Sequence, residues 1–200
     1  MKRRITLALT GASGMAYGLR LLECLLKADC RVDLLVSQAA RIVARQELDI
    51  TFPADHAALS EFLQSRYAGG EIHAYGEKEW FAPAASGTNP AHAMVICPCT
   101  MGAVAAIAHG LSDNLMERAA DVMLKEKRPL IIVPRETPFS LIHLRNLTAL
   151  AEAGATILPA SPGFYHRPQS VEQVMDFIVA RVLDQLGMPH TLLSRWGEEA

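Results

Sequence analysis

Aromatic residues are scarce in this chain. Phe, Tyr and Trp make up 6% of its 200 residues, so any that falls outside a core segment stands out. Charge is sparse too: Asp, Glu, Lys and Arg amount to 20%, and the net charge is -2. Such a balance gives no general attraction to nucleic acid or to an anionic membrane, so a bound phosphate would need a few locally placed cations. Cysteine is limited to Cys24, Cys30, Cys97 and Cys99, with no C-x-x-C pair. The C-x-C at 97 and 99 has no histidine at finger-like spacing, which excludes a structural zinc site and predicts reduced, cytosolic thiols. No apolar run approaches the roughly 18 residues that span a bilayer. The apolar stretch near the N-terminus is short and runs straight into a glycine turn, so it reads as a first strand rather than a signal peptide.

Half of the residues are hydrophobic, which suits a globular chain with a sizeable core. Short continuous apolar runs alternate with helix-period stretches, the pattern of parallel strands covered by helices on both faces. Strands are predicted at residues 4–10, 31–36, 93–97, 129–134 and 155–159. Helices are predicted after the Gly11-Ala12-Ser13-Gly14 turn, from about Gln38, over Ala57–Tyr67, after Pro98-Cys99-Thr100-Met101-Gly102, and over Asp113–Lys127, Ile142–Ala153 and 170–187. Residues 51–92 are otherwise irregular. There is no repeat and no linker, so the prediction is one α/β domain over residues 1–200, a Rossmann-like (flavodoxin-like) three-layer sandwich with a mostly parallel sheet.

Open α/β sheets bind ligands beyond the carboxyl ends of their strands. The segments that follow the predicted strands are Thr10-Gly11-Ala12-Ser13-Gly14, Ser37, Pro98 to Gly102, Arg135-Glu136, and Ala160 to Tyr165. Small, hydroxylated and charged groups thus converge on one edge. The first loop departs from G-x-G-x-x-G, and Ser37 stands where a dinucleotide fold would carry an acid for the ribose, which argues against NAD. No Gly-Lys-Ser/Thr is present, so an ATP P-loop is absent. A glycine turn running into a helix N-terminus still favours an anion there.

Arg118 and Lys125 share one helical face two turns apart, where salt bridges to neighbours such as Glu117 and Asp121 are the plain reading. Arg135-Glu136 is more telling, because charges at a strand's carboxyl end sit where ligands sit. Two arginines can grip a phosphate in bidentate fashion, with a lysine as a point charge. Trp80 lies in an irregular segment, as a hydrophobic plug or as a π-face for a ring or carbocation. Tyr165 with Arg181 offers another anion contact. His143 and His166 have no evident catalytic partner.

Five segments resemble the UbiX-type flavin prenyltransferases: Thr10-Gly11-Ala12-Ser13-Gly14, Ile96 to Gly102, Asp113 to Val122, Pro134-Arg135-Glu136-Thr137-Pro138, and Pro162-Gly163-Phe164-Tyr165-His166. They occur in the family's order and span nearly the whole chain. The resemblance implies a metal-independent cytoplasmic enzyme that joins a dimethylallyl group from dimethylallyl phosphate to N5 and C6 of reduced FMN. It also implies a dodecamer with sites at subunit interfaces, and delivery of prenylated FMN to a UbiD-type decarboxylase in ubiquinone biosynthesis or aromatic-acid metabolism. By motif, Gly11, Ala12, Ser13, Ser37, Thr100, Met101, Gly102, Ala103 and Arg135 would hold FMN. Arg118, Lys125, Arg135, Tyr165 and Arg181 would hold the prenyl phosphate. Glu136 would be the proton donor, Trp80 the wall for the allyl cation, Ser13 a proton relay, Lys125 a catalytic cation, and Glu47 a group that orients the site. The competing readings are a cysteine-peptide decarboxylase, whose Pro-x-Met-Asn-x-x-Met-Trp motif is missing, a direct decarboxylase of aromatic acids, and a flavin carrier that would need neither Glu136 nor the cations.

Overall fold

The computed structural model describes residues 2–195 and 197; Trp196, noted in the C-terminal tail, lies outside the described residues. The elements run β1 (Arg4–Leu9), α1 (Met15–Lys27), β2 (Arg31–Val36), α2 (Gln38–Leu48), α3 (His56–Gln64), β3 (Glu71–Tyr75), a 3-10 turn (Pro83–Ala85), β4 (Ala93–Cys99), α4 (Met101–Ala108), α5 (Leu115–Lys125), β5 (Leu130–Pro134), α6 (Leu141–Glu152), β6 (Thr156–Ile157) and α7 (Val171–Gln185). Six strands form one sheet in the order β3-β2-β1-β4-β5-β6, and every paired neighbour is parallel. The strand order reverses between β1 and β4, which opens the ligand crevice of a doubly wound sheet beyond their carboxyl ends.

Side chains alternate across the strands and feed two cores. Ile5, Leu7 and Leu9 of β1 pack with apolar residues of α1, α2, α3 and α7 on one face. Ala8, Met94, Ile96 and Ile132 pack with α4, α5 and α6 on the other. Leu21, Leu22, Leu25 and Leu26 of α1 are fully buried, each contributing roughly 1.5–3 kcal/mol by leaving water. One charge interrupts the apolar run of β2. Asp33 is fully buried at 3.4 Å from Arg4 and 3.2 Å from Arg31. Burial pushes its carboxyl up, while the two guanidiniums pull the other way.

The layers match the sequence reading, with three local differences. A strand at Glu71–Tyr75 lies inside the segment read as irregular; it is an edge strand whose Glu71 and His73 stay exposed, so no continuous apolar run marks it. The long helix starts at Leu115 rather than Asp113, because Asn114 caps it, and it ends at Lys125 because Lys127 adopts φ 53°. The last strand has only Thr156 and Ile157, although Leu158 N–H and Ala160 N–H go on donating to Ile132 and Pro134 carbonyls. Pro159 between them has no N–H to give.

Candidate functional site

The loops beyond β1 and β4 are tied together by Thr10. Its hydroxyl donates to the Pro98 carbonyl at 2.7 Å and accepts from Thr100 N–H at 2.9 Å. This fixes the spacing of the crevice's two walls. Gly11 must be glycine, since a Cβ there would lie 2.4 Å from the Ala39 Cβ at the start of α2. Gly14 adopts φ 105°, the left-handed turn that starts α1. The α1 N-terminus does not await an external anion, as the sequence had suggested. The Glu47 carboxylate, reaching over from α2, accepts from Gly14 N–H at 3.0 Å and Met15 N–H at 2.9 Å. Burial pushes that carboxyl up, but hydrogen bonds from the Ser13 side chain and these two amides, with the Arg135 charge, hold it below its ordinary value.

Arg135 closes the cradle from β5, donating through Nε to the Ser13 carbonyl at 3.2 Å. Among the described residues Glu136 does not pair with it; the Glu136 carboxylate accepts from Thr137 N–H, at 3.1 Å. Ser37 and Thr100 cap α2 and α4, accepting from Ala40 N–H and Ala103 N–H, each at 3.1 Å. Cys97 and Cys99 lie beneath this edge and are fully buried, which pushes both thiols up, Cys97 to about 12. Neither is a thiolate nucleophile at neutral pH.

A second group gathers along α5. The Glu77 carbonyl accepts from Leu115 N–H at 2.8 Å, and Lys78 Nζ donates to the Asp113 carbonyl at 2.6 Å. Trp80 follows at once, its ring 5.7 Å from Lys78 Nζ. The chain then runs along the helix. The Ala85 carbonyl accepts from Arg118 Nε at 3.0 Å, and Gly87 leaves room for Lys125 and Glu126, where a Cβ would meet both side chains. Arg118 and Lys125, about 10 Å apart along α5, are paired with Asp121 at 2.6 Å and Glu126 at 2.5 Å. Glu117 is not Arg118's partner; it is buried, accepting from Asp113 N–H and the Asn114 side chain to secure the helix start.

A third group lies on α7. His166 stacks on Phe177 with centroids 5.8 Å apart, and Gly163 packs against the same ring, which seats the Tyr165 loop on the helix. Arg181 lies one turn further along and pairs with Asp184 at 2.5 Å. The Tyr165 loop is thus seated at Phe177, one helical turn before Arg181 on α7.

Residues 1–183 match the family model described as Flavoprotein. The chain is 55% identical over 199 residues to the flavin prenyltransferase UbiX of Pseudomonas aeruginosa, covering 98% of this chain and 95% of that protein. The chain belongs to the flavin prenyltransferase family. The crystal structure of AnUbiX (PadA1) in complex with FMN and dimethylallyl pyrophosphate superposes with a TM-score of 0.89 at 34% identity, covering 100% of both chains. A dodecameric FMN-dependent Ubix-like decarboxylase from Escherichia coli O157:H7 gives 0.85 at 32% identity, covering 98% of this chain and 100% of that one.

The cradle of this family member suits a flavin. Met101 and Gly102 present N–H groups at the α4 N-terminus, where Thr100 takes only the Ala103 amide. A Cβ on Gly102 would face open space, its nearest neighbour being Thr100 Oγ1 at 4.0 Å. Of the residues assigned by motif, the fold joins Gly11 to Ser13, Thr100 to Ala103 and Arg135 into one cradle, with Ser37 beside Gly11 through α2. It does not join this cradle to the α5 or α7 groups: among the described residues, no hydrogen bond or ion pair links Arg118, Lys125 or Arg181 to Arg135 or Glu136. Thr10 and Glu77, which tie the loops of these groups together, were missed in the sequence. Their roles lie in tertiary contacts that no local motif announces.

Proposed function

We propose that this chain transfers a dimethylallyl group from dimethylallyl phosphate to N5 and C6 of reduced FMN, yielding prenylated FMN for a UbiD-type decarboxylase. Reduced FMN supplies the two nucleophilic atoms. The observation that carries the reading is Arg135-Glu136 at the carboxyl end of β5, one step from a cradle of amides and hydroxyls. Gly11, Ala12, Ser13, Ser37, Thr100, Met101, Gly102, Ala103 and Arg135 hold the flavin.

Arg118, Lys125, Tyr165 and Arg181, with Arg135 shared, hold the phosphate, and no metal is required. Breaking the allyl C–O bond puts negative charge on the departing phosphate, so preorganised cations lower that barrier most. Glu136 gives its proton to the leaving phosphate oxygen and then takes one back from the flavin site, which balances the step. A positioned acid of this kind contributes typically about 10²–10⁴-fold. Trp80 offers a π-face to the allyl cation, a contact of roughly 2 kcal/mol once water is excluded. Ser13, whose side chain hydrogen-bonds to Glu47, would relay a proton at N5.

The three groups meet when copies of the chain assemble, in a dodecamer by analogy with relatives. Large apolar side chains left in solvent support this, among them Phe81, Leu141, Ile142 and Phe164. The unpaired cysteines suit a cytoplasmic setting, and no described helix is long and apolar enough to cross a membrane.

Anaerobic incubation with reduced FMN and dimethylallyl phosphate, followed by mass analysis of the released flavin, tests the proposal. The expected result is a gain of one C5 unit, lost in Glu136→Gln. Tight FMN binding with an unchanged flavin mass would instead leave a carrier, or a direct decarboxylase that releases carbon dioxide from an aromatic acid without a partner.

A further inference from the structure

We propose that Asp184 and His190 are positioning residues that hold the Arg181 guanidinium ready for the prenyl phosphate; the inference rests on the reading of Arg181 above. Arg181 Nη1 donates to Asp184 Oδ2 at 2.5 Å, while the other carboxylate oxygen, Oδ1, faces His190 Nε2 at 3.1 Å. One carboxylate therefore bridges the two side chains. The imidazole is well placed to anchor it. Leu192 N–H points at His190 Nδ1 at 3.4 Å, so Nδ1 accepts and the proton lies on Nε2, from which it is donated to Asp184.

The backbone explains how His190 reaches a residue six positions earlier. Gly187 takes φ 62° at the end of α7, and Met188 N–H donates back to the Leu183 carbonyl at 2.9 Å, which reverses the chain. The His190 side chain comes to rest only 13% exposed, against 50% for Arg181. Burial increases from the arginine inward, as expected of a support rather than of a loose surface pair.

An isolated i,i+3 pair on a helix contributes little, because holding two long side chains together costs about as much as the attraction returns. Here one partner is fixed by a third residue, so Asp184 has less freedom to lose. A guanidinium held in place before the ligand arrives forfeits less on binding. Only Nη1 is engaged with Asp184, which leaves Nε and Nη2 for a phosphate in fork geometry. On the same face, Phe177 seats the Tyr165 loop one turn earlier. Asp184 and His190 thus complete one wall of a phosphate site that starts at Tyr165.

The test is anaerobic steady-state kinetics with the full chain, varying dimethylallyl phosphate and reduced FMN separately. Asp184→Asn and His190→Ala should each raise KM for the prenyl donor about three- to tenfold, the range left to a partly exposed charged pair. kcat should stay within about twofold, as expected when binding rather than chemistry is lost, and KM for FMN should not change. His190→Gln, which can still present an Nε2 donor, should restore the donor KM. An unchanged donor KM in Asp184→Asn and His190→Ala, while Arg181→Ala raises it, would overturn the positioning role and leave Arg181's own role standing. An Arg181→Ala chain with unaltered donor KM would remove the reading on which the inference rests. Uniform loss in kcat and both KM values would show a structural role only, and overturn it as well.

Discussion

The flavin cradle and the cations proposed to bind the prenyl donor are built on different principles. The cradle is tied together from distant parts of the chain: Thr10 by Pro98 and Thr100, the Gly14 turn by Glu47, Arg135 by Ser13. The cations on α5 and α7 are instead paired with acids one to three positions away in the sequence: Arg118 with Asp121, Lys125 with Glu126, Arg181 with Asp184. Folding of one chain therefore completes the cradle and leaves the proposed phosphate-binding cations as separate pieces on separate helices. The flavin site needs rigidity, whereas the cations would repel one another if gathered without their ligand.

The sharpest way to break the comparison is at Glu136, the proposed proton donor next to Arg135 of the cradle. Glu136→Gln keeps the shape and removes the proton, so prenyl transfer should fall about 10²–10⁴-fold while FMN binding, followed by fluorescence, stays as it was. Loss of flavin binding as well would mean that Glu136 belongs to the cradle. A smaller but still large effect is expected at Ile142, 68% exposed on α6. Ile142→Asp should lower the assembly size in light scattering, keep flavin binding, and cut transfer at least about tenfold if an interface contact is lost. Transfer at full rate by a smaller species would show that one chain gathers the cations alone. Gly11→Val attacks the other region. Its Cβ would collide with Ala39, so overpacking of about 1–3 kcal/mol should appear as a lower Tm, with FMN affinity lost in parallel.

What the sequence disclosed follows the same division. The strands, the helices and the loops of the cradle were legible, because continuous apolar runs mark buried parallel strands and the ligand edge follows from strand direction. The exceptions are instructive. β3 was invisible, since an edge strand open on one side carries Glu71 and His73 where a central strand carries valine or leucine. Thr10 reads locally as the last residue of a strand; its bridging hydroxyl appears only when β4 is laid beside β1. Glu47 precedes no motif, and only its 33-residue reach back to Gly14 reveals it as the partner of the α1 amides.

That partner gives the smallest and most selective test. The Glu47 carboxyl lies below its ordinary 4.5 in the folded chain, so the charged form is favoured by folding. Its contribution is present above about pH 4.5 and is lost as the pH falls through the lower folded value. Because the side chain is largely exposed, screening limits the effect to at most about 1 kcal/mol. Urea unfolding should therefore separate the parent chain from Glu47→Gln at pH 7, and the gap should close on acidification below pH 4.5. A gap that stayed constant to acid pH would assign the loss to packing rather than charge. A variant as stable as the parent at pH 7, yet poorer in FMN binding, would show that Glu47 shapes the Gly14 turn for the flavin and contributes little to the fold.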